Sequence, residues 1–120
     1  MILVDTSVWA DHIRKRNEIM ARLMGDGKVL IHPFVVGELA LGNLNNRAVY
    51  IASWEAMPHA QLAQDAEVFK MIELNTLYGT GIGYVDAHLL ASARISQVKL
   101  WTRDKRLHSV AAKLGLAEAY

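Results

Sequence analysis

The chain has 120 residues, with 13 Lys plus Arg against 12 Asp plus Glu, so its net charge is +1. That length implies one domain over residues 1–120, and an apolar share of 52% excludes wholesale disorder. The near balance of charge excludes a polybasic nucleic-acid coat, though not a nucleic-acid enzyme, and zero cysteines exclude disulfides, zinc thiolates and a thiol nucleophile.

Met1 to Val4 is too short an apolar run for a helix and reads as a buried strand. Asp5, Thr6 and Ser7 follow as helix-capping types, and Trp9, Ile13, Met20, Leu23 and Met24 predict one helix that Gly25 and Gly27 stop. Val29 to Ile31 predicts a second strand. Pro33 opens a helix that runs through Phe34 to Leu44, and Arg47 to Met57 gives another, ended by Pro58. Gln64 to Leu77 is helical by its apolar face. Gly79 to Gly83 is a loop, Tyr84 to Arg94 a helix, Val98 to Thr102 a strand, and Asp104 to Leu114 a last helix closed by Gly115. Strands alternating with helices predict an α/β fold on a parallel sheet.

No basic leader precedes Asp5, which argues against a signal peptide. The longest uncharged stretch, Leu74 to Val85, is too short and too glycine-rich to span a bilayer. Both features suit a cytoplasmic protein with no membrane partner.

Most acids, Asp11 and Asp65 among them, sit in polar company and read as solvated. Four do not. Asp5 follows MILV, Glu38 lies in FVVGELAL, Asp86 lies in GIGYVDAHLLASA, and Asp104 follows LWTR. Strand ends and helix starts share one edge of a parallel sheet, and ligands gather there. The four carboxylates therefore converge if the topology holds. A single pair about 4 Å apart repels by roughly 4 kcal/mol at an effective dielectric near 20. A helix N-terminus returns only about 0.3–1 kcal/mol. A divalent cation offsets the remainder, and all-oxygen ligation selects Mg²⁺ or Mn²⁺. Carboxylate-held Mg²⁺ serves phosphoryl transfer and phosphodiester hydrolysis. Taken singly, each of these acids could be only a helix cap.

LVDTSVW, VVGELALG, GYVDAHLLASA and LWTRDKRL together resemble the PIN-domain family, and most closely its VapC-type ribonuclease toxins. The resemblance implies a three-layer α/β/α fold and a Mg²⁺- or Mn²⁺-dependent endoribonuclease. It implies Asp5 and Asp86 as direct metal ligands, with Glu38 and Asp104 completing the metal's shell or positioning water. Thr6 or Ser7 would orient Asp5, and Thr102 would support the pocket near Asp104. A homodimer, an RNA substrate and a VapB-type antitoxin partner are implied as well. His88 departs from the family's aliphatic habit and reads as solvent-facing or supporting, not as a ligand.

Arg103, Lys105 and Arg106 flank Asp104 and are placed to meet an RNA backbone, whereas Arg14, Lys15 and Arg16 read as a solvated helix face. Trp9, Trp54, Trp101, Phe34 and Phe69 read as core or interface. The glycines before Asp86 read as permitting a close approach to its helix, because no GxxxxGK[ST] pattern is present. Two rivals stay open: a phosphatase with Asp5 as nucleophile, weakened by Ser7 where a second aspartate is needed, and a non-catalytic interaction module.

Overall fold

Ile2, Leu3 and Val4 form β1 (Ile2–Val4), and all three are buried. Successive strand residues point to opposite faces, so a strand buried at every position is covered on both sides. That is the local reason for a three-layer α/β/α arrangement. The computed structural model describes all residues, 1–120. β2 (Val29–Leu30), β3 (Lys99–Trp101) and β4 (Ala117–Glu118) complete a four-stranded parallel sheet of order β2-β1-β3-β4. Leu3 sits level with Leu30 on one side and Leu100 on the other. β4 is a strand that sequence reading leaves out, because two residues carry no usable periodicity.

Seven helices surround the sheet: α1 (Thr6–Arg14), α2 (Glu18–Gly25), α3 (Pro33–Ala40), α4 (Arg47–Ala56), α5 (Asp65–Leu74), α6 (Tyr84–Ser96) and α7 (Lys105–Lys113). The single first helix expected up to Met24 is in fact two. Lys15 turns extended after α1, and Asn17 begins α2 by accepting from Met20 N at 3.0 Å. His12 Nδ1 accepts from Asn17 N at 2.9 Å and fixes the corner. Arg14 therefore ends α1, and Lys15 and Arg16 occupy the junction rather than a helix face. α3 also stops earlier than expected, at Ala40, and the fully exposed Leu41 begins a loop that continues through Gly42 to Asn46.

The core is continuous, with Trp9 and Trp54 meeting edge to face at 5.9 Å between ring centroids. Phe34 and Phe69, read as core or interface, both stand largely exposed. No helix is long and apolar enough to cross a membrane.

Candidate active site

The chain leaves β1 for a neighbour on one side, β2, and later returns to β1 on its other side as β3. Ligands of open parallel sheets bind in the crevice made where the strand order reverses. Asp5 follows β1 directly and Thr102, Arg103 and Asp104 follow β3, so both segments open onto that crevice. The backbone joins them, with Asp5 N donating to Trp101 O at 2.9 Å.

Asp5 occupies the N-cap position of α1 but makes no side-chain cap bond. Its Oδ2 instead accepts from Ser7 Oγ and Thr102 Oγ1, each at 2.7 Å. Of the two residues expected to orient it, Ser7 does so. Thr6 turns away and donates from Oγ1 to Glu38 Oε1 at 2.7 Å, which steadies the glutamate projecting from α3. Thr102 has a second task. Its Oγ1 accepts from Asp104 N at 3.1 Å and so ties the last acid to the first. Asp104 caps α7 with Oδ1, which accepts from Leu107 N at 3.0 Å. Asp86, one turn into α6, reaches back so that Oδ2 accepts from Gly83 N at 2.9 Å. Capping thus accounts for one oxygen of Asp86 and one of Asp104, and for neither oxygen of Asp5.

One regularity runs through the four acids. Each gives a single oxygen to a protein donor and leaves its other oxygen without one. They also differ in depth: Asp5 is buried, Asp86 half-buried, Glu38 and Asp104 exposed. Burial pushes the Asp86 carboxyl above the usual aspartate range. The negative charges of Asp5, Asp104 and Glu38 push it the same way, against the pull of the Gly83 N–H. Asp5, Asp104 and Glu38 are therefore near enough for their charges to act on Asp86.

Carboxylate oxygen is the donor that Mg²⁺ and Mn²⁺ prefer, and a crowd of like charges is what a cation would relieve. No three His, Cys, Asp or Glu side chains are grouped so as to hold a metal ion among themselves. A small hard cation keeps several waters and takes one or two carboxylates plus substrate phosphate oxygens. Asp5 and Asp86, the two deepest acids, are the pair that could hold it.

The basic residues around Asp104 diverge. Arg103 Nε meets Asp11 Oδ2 at 2.9 Å, and Arg14 pairs with the same carboxylate. Asp11 is thus an organiser of cations and not merely a solvated acid. Arg106 runs the other way and lies against Gly81, which has φ +87° and where a Cβ would sit 2.9 Å from Arg106 Cδ. The glycine loop accordingly makes a close approach to α7, not only to the helix of Asp86. Lys105, Arg106 and Lys113 line a shallow groove there.

His88 is buried, which corrects the solvent-facing reading. Its Nε2 lies 3.1 Å from Asp65 Oδ1, which also accepts from Tyr84 Oη at 2.8 Å. The Tyr84 and His88 bonds hold the exposed Asp65 carboxyl below its ordinary range. Phe34 closes over the histidine with ring centroids 4.9 Å apart. The sequence carried no signal for this cluster, because Asp65 and His88 stand on different helices.

The PIN-domain profile matches residues 2–113. Ribonuclease VapC32 of Mycobacterium tuberculosis is 41% identical over 120 residues, which cover 99% of this chain and 97% of that protein. Among solved structures, FitAcB from Neisseria gonorrhoeae has a TM-score of 0.64 at 23% identity, covering 93% of this chain and 94% of that one. FitAB bound to an IR36 DNA fragment gives 0.62 at 21% identity, covering 93% and 91%. These two structures speak for the fold alone, and they agree with the parallel sheet and its helical layers. Profile and relative, each spanning nearly the whole chain, decide the kinship: this chain belongs to the PIN-domain family, and within it to the VapC type.

Proposed function

We propose that the chain is a Mg²⁺- or Mn²⁺-dependent endoribonuclease, the toxin of a type II toxin–antitoxin pair. The observation that carries this reading is the set of four acids around Asp86, each anchored by one oxygen and open at the other. A bound cation supplies an acidified water and positive charge against the phosphate. Asp5 and Asp86 hold it. Ser7 and Thr102 fix the Asp5 carboxylate, so its free oxygen needs little reorganisation to bind. Glu38, steadied by Thr6, and Asp104 at the rim position the attacking water. The water oxygen bonds to phosphorus, the bond from phosphorus to the leaving ribose oxygen breaks, and the water's proton is released as the leaving oxygen takes one up. Arg103 toward α1 and Lys105 and Arg106 toward the glycine loop grip the RNA backbone on either side.

The relative named Ribonuclease VapC32 supports RNA as the substrate in this reading. A VapB-type antitoxin whose tail covers the acids, and a second copy of the chain, complete the assembly in this reading. Exposed apolar side chains such as Phe34, Val49, Phe69 and Tyr84 offer surface for both.

The test is cleavage of a defined RNA by the purified chain. Mg²⁺ or Mn²⁺ should support it and EDTA should stop it. Asp5→Asn and Asp86→Asn should each remove it while the circular dichroism stays unchanged. Full activity in either variant, or cleavage indifferent to EDTA, would overturn the assignment.

A further inference from the structure

The largest cavity in the molecule, about 560 Å³, opens between α1, α3 and the loop that leads into α4. Thr6 and Glu38 form part of its wall, so it shares a side chain with the acidic cluster. Whatever fills it lies next to whatever the acids act on. The loop wall is Asn43, Leu44, Asn45 and Asn46, with the three asparagines exposed, and Ala10, Ile13 and Leu39 add apolar lining. Asn46 begins α4 without a side-chain cap bond, and each of the three amides offers two donors and an acceptor. Tyr50 supplies an aromatic wall, set in place by stacking on Trp54 at 5.5 Å and 29°. Arg14, held by Asp11, stands at the edge.

Unpaired RNA bases are recognised through their edges by amides and through their faces by rings, with arginine on the adjoining phosphates. All three kinds of group are present here, and the size suits a small ligand. Burying three amides under an apolar protein segment would leave them unpaired, which is unfavourable. We infer that this cavity is a base-reading subsite: it takes one unpaired nucleobase of the RNA, beside the bond that is cut, and Asn43, Asn45 and Asn46 select it. The inference deepens the ribonuclease reading and rests on it.

The test separates the two. Side-chain amide signals of the ¹⁵N-labelled chain are followed by NMR in EDTA, where no cutting is needed, while ApA, CpC, GpG and UpU are titrated in turn. The Asn43, Asn45 and Asn46 amides should shift saturably, with one dinucleotide bound about tenfold more tightly than the others. Asn43→Ala and Asn45→Ala should each erase most of that preference, and in a random-sequence RNA pool they should flatten the base profile at one position beside the cut. Equal shifts with all four dinucleotides, shifts with inorganic phosphate alone, or shifts produced only by an antitoxin peptide would overturn the subsite. A chain that cuts RNA with an unchanged base profile in both variants overturns the subsite alone. A chain that binds one dinucleotide selectively yet cuts no RNA with Mg²⁺ or Mn²⁺ overturns the ribonuclease reading alone.

Discussion

Thr102 donates to Asp5 Oδ2 at 2.7 Å and joins the end of β3 to the end of β1 across nearly the whole sequence. Because the same hydroxyl accepts from Asp104 N, one buried oxygen sets two of the four acids. Thr102→Val keeps the shape and removes the hydroxyl. It should lower stability by about 1–3 kcal/mol, since two buried or half-buried polar groups lose a partner. It should also lower kcat with KM little changed, and Thr102→Ser should restore most of kcat. Thermal melting and single-substrate kinetics check both halves.

His32 begins α3 by accepting from Phe34 N at Nδ1, at 3.0 Å, so that nitrogen must stay unprotonated. Its Nε2 is buried without a partner. Burial first, then the nearby His88 and His59, push its pKa down to about 4. The unfolded chain, with a histidine near 6.5, binds the proton more readily. Stability from this group is therefore complete above about pH 6.5 and is lost as pH falls toward 4, at roughly 2 kcal/mol between pH 7 and pH 5. Asp86, lifted in the folded state, opposes this trend at the acid end. Urea unfolding at both pH values should show the loss, and His32→Asn, which can still cap the helix, should flatten it.

Two glycines should respond oppositely to alanine. Gly37 lies inside α3 with nothing within 4 Å of a built Cβ, so Gly37→Ala should stabilise by about 0.5–1 kcal/mol. Gly81 has φ +87° and Arg106 beside it, so Gly81→Ala should destabilise by about 1–2 kcal/mol and push the Arg106 side chain aside. Differential scanning fluorimetry on the two variants reads the contrast.

Cation binding should register as stability as well as activity. At a Mn²⁺ concentration about a hundredfold above its Kd, the parent chain should gain about 2.7 kcal/mol. Asp86→Asn should lose that gain. In EDTA the same variant should melt higher than the parent, because it removes a half-buried charge facing Asp5, Asp104 and Glu38. A metal-free variant less stable than the parent would contradict the crowding.

The four acids stand out in the sequence because each lies beside an apolar run, although of the four only Asp5 is buried in the fold and Glu38 and Asp104 are exposed. Their shared edge followed from strand ends and helix starts alone. What escaped the sequence depends on side chains that meet across elements. Arg103 reaches Asp11 on α1, and His88 reaches Asp65 on α5; neither pairing has a spacing rule. The corner at Asn17 escaped for another reason. Apolar residues on both sides kept a helical period, while the capping asparagine followed by Glu18 was itself a start signal. Thr6 and Ser7 were interchangeable by type, and only the backbone direction of α1 sends one to Glu38 and the other to Asp5.

The order β2-β1-β3-β4 places the first strand made in the interior of the sheet. During synthesis β1 emerges early but cannot be flanked on both sides until residues 99–101 have followed. Asp5 acquires Thr102 only then, and Asp104 later still. Distant pairing of this kind is slow to form and is deferred toward the end of folding. A ribosome translating the message would therefore carry an unassembled acidic cluster until residues 99–104 had been made. The site is assembled only once β1 and the segment after β3 have both been made and paired.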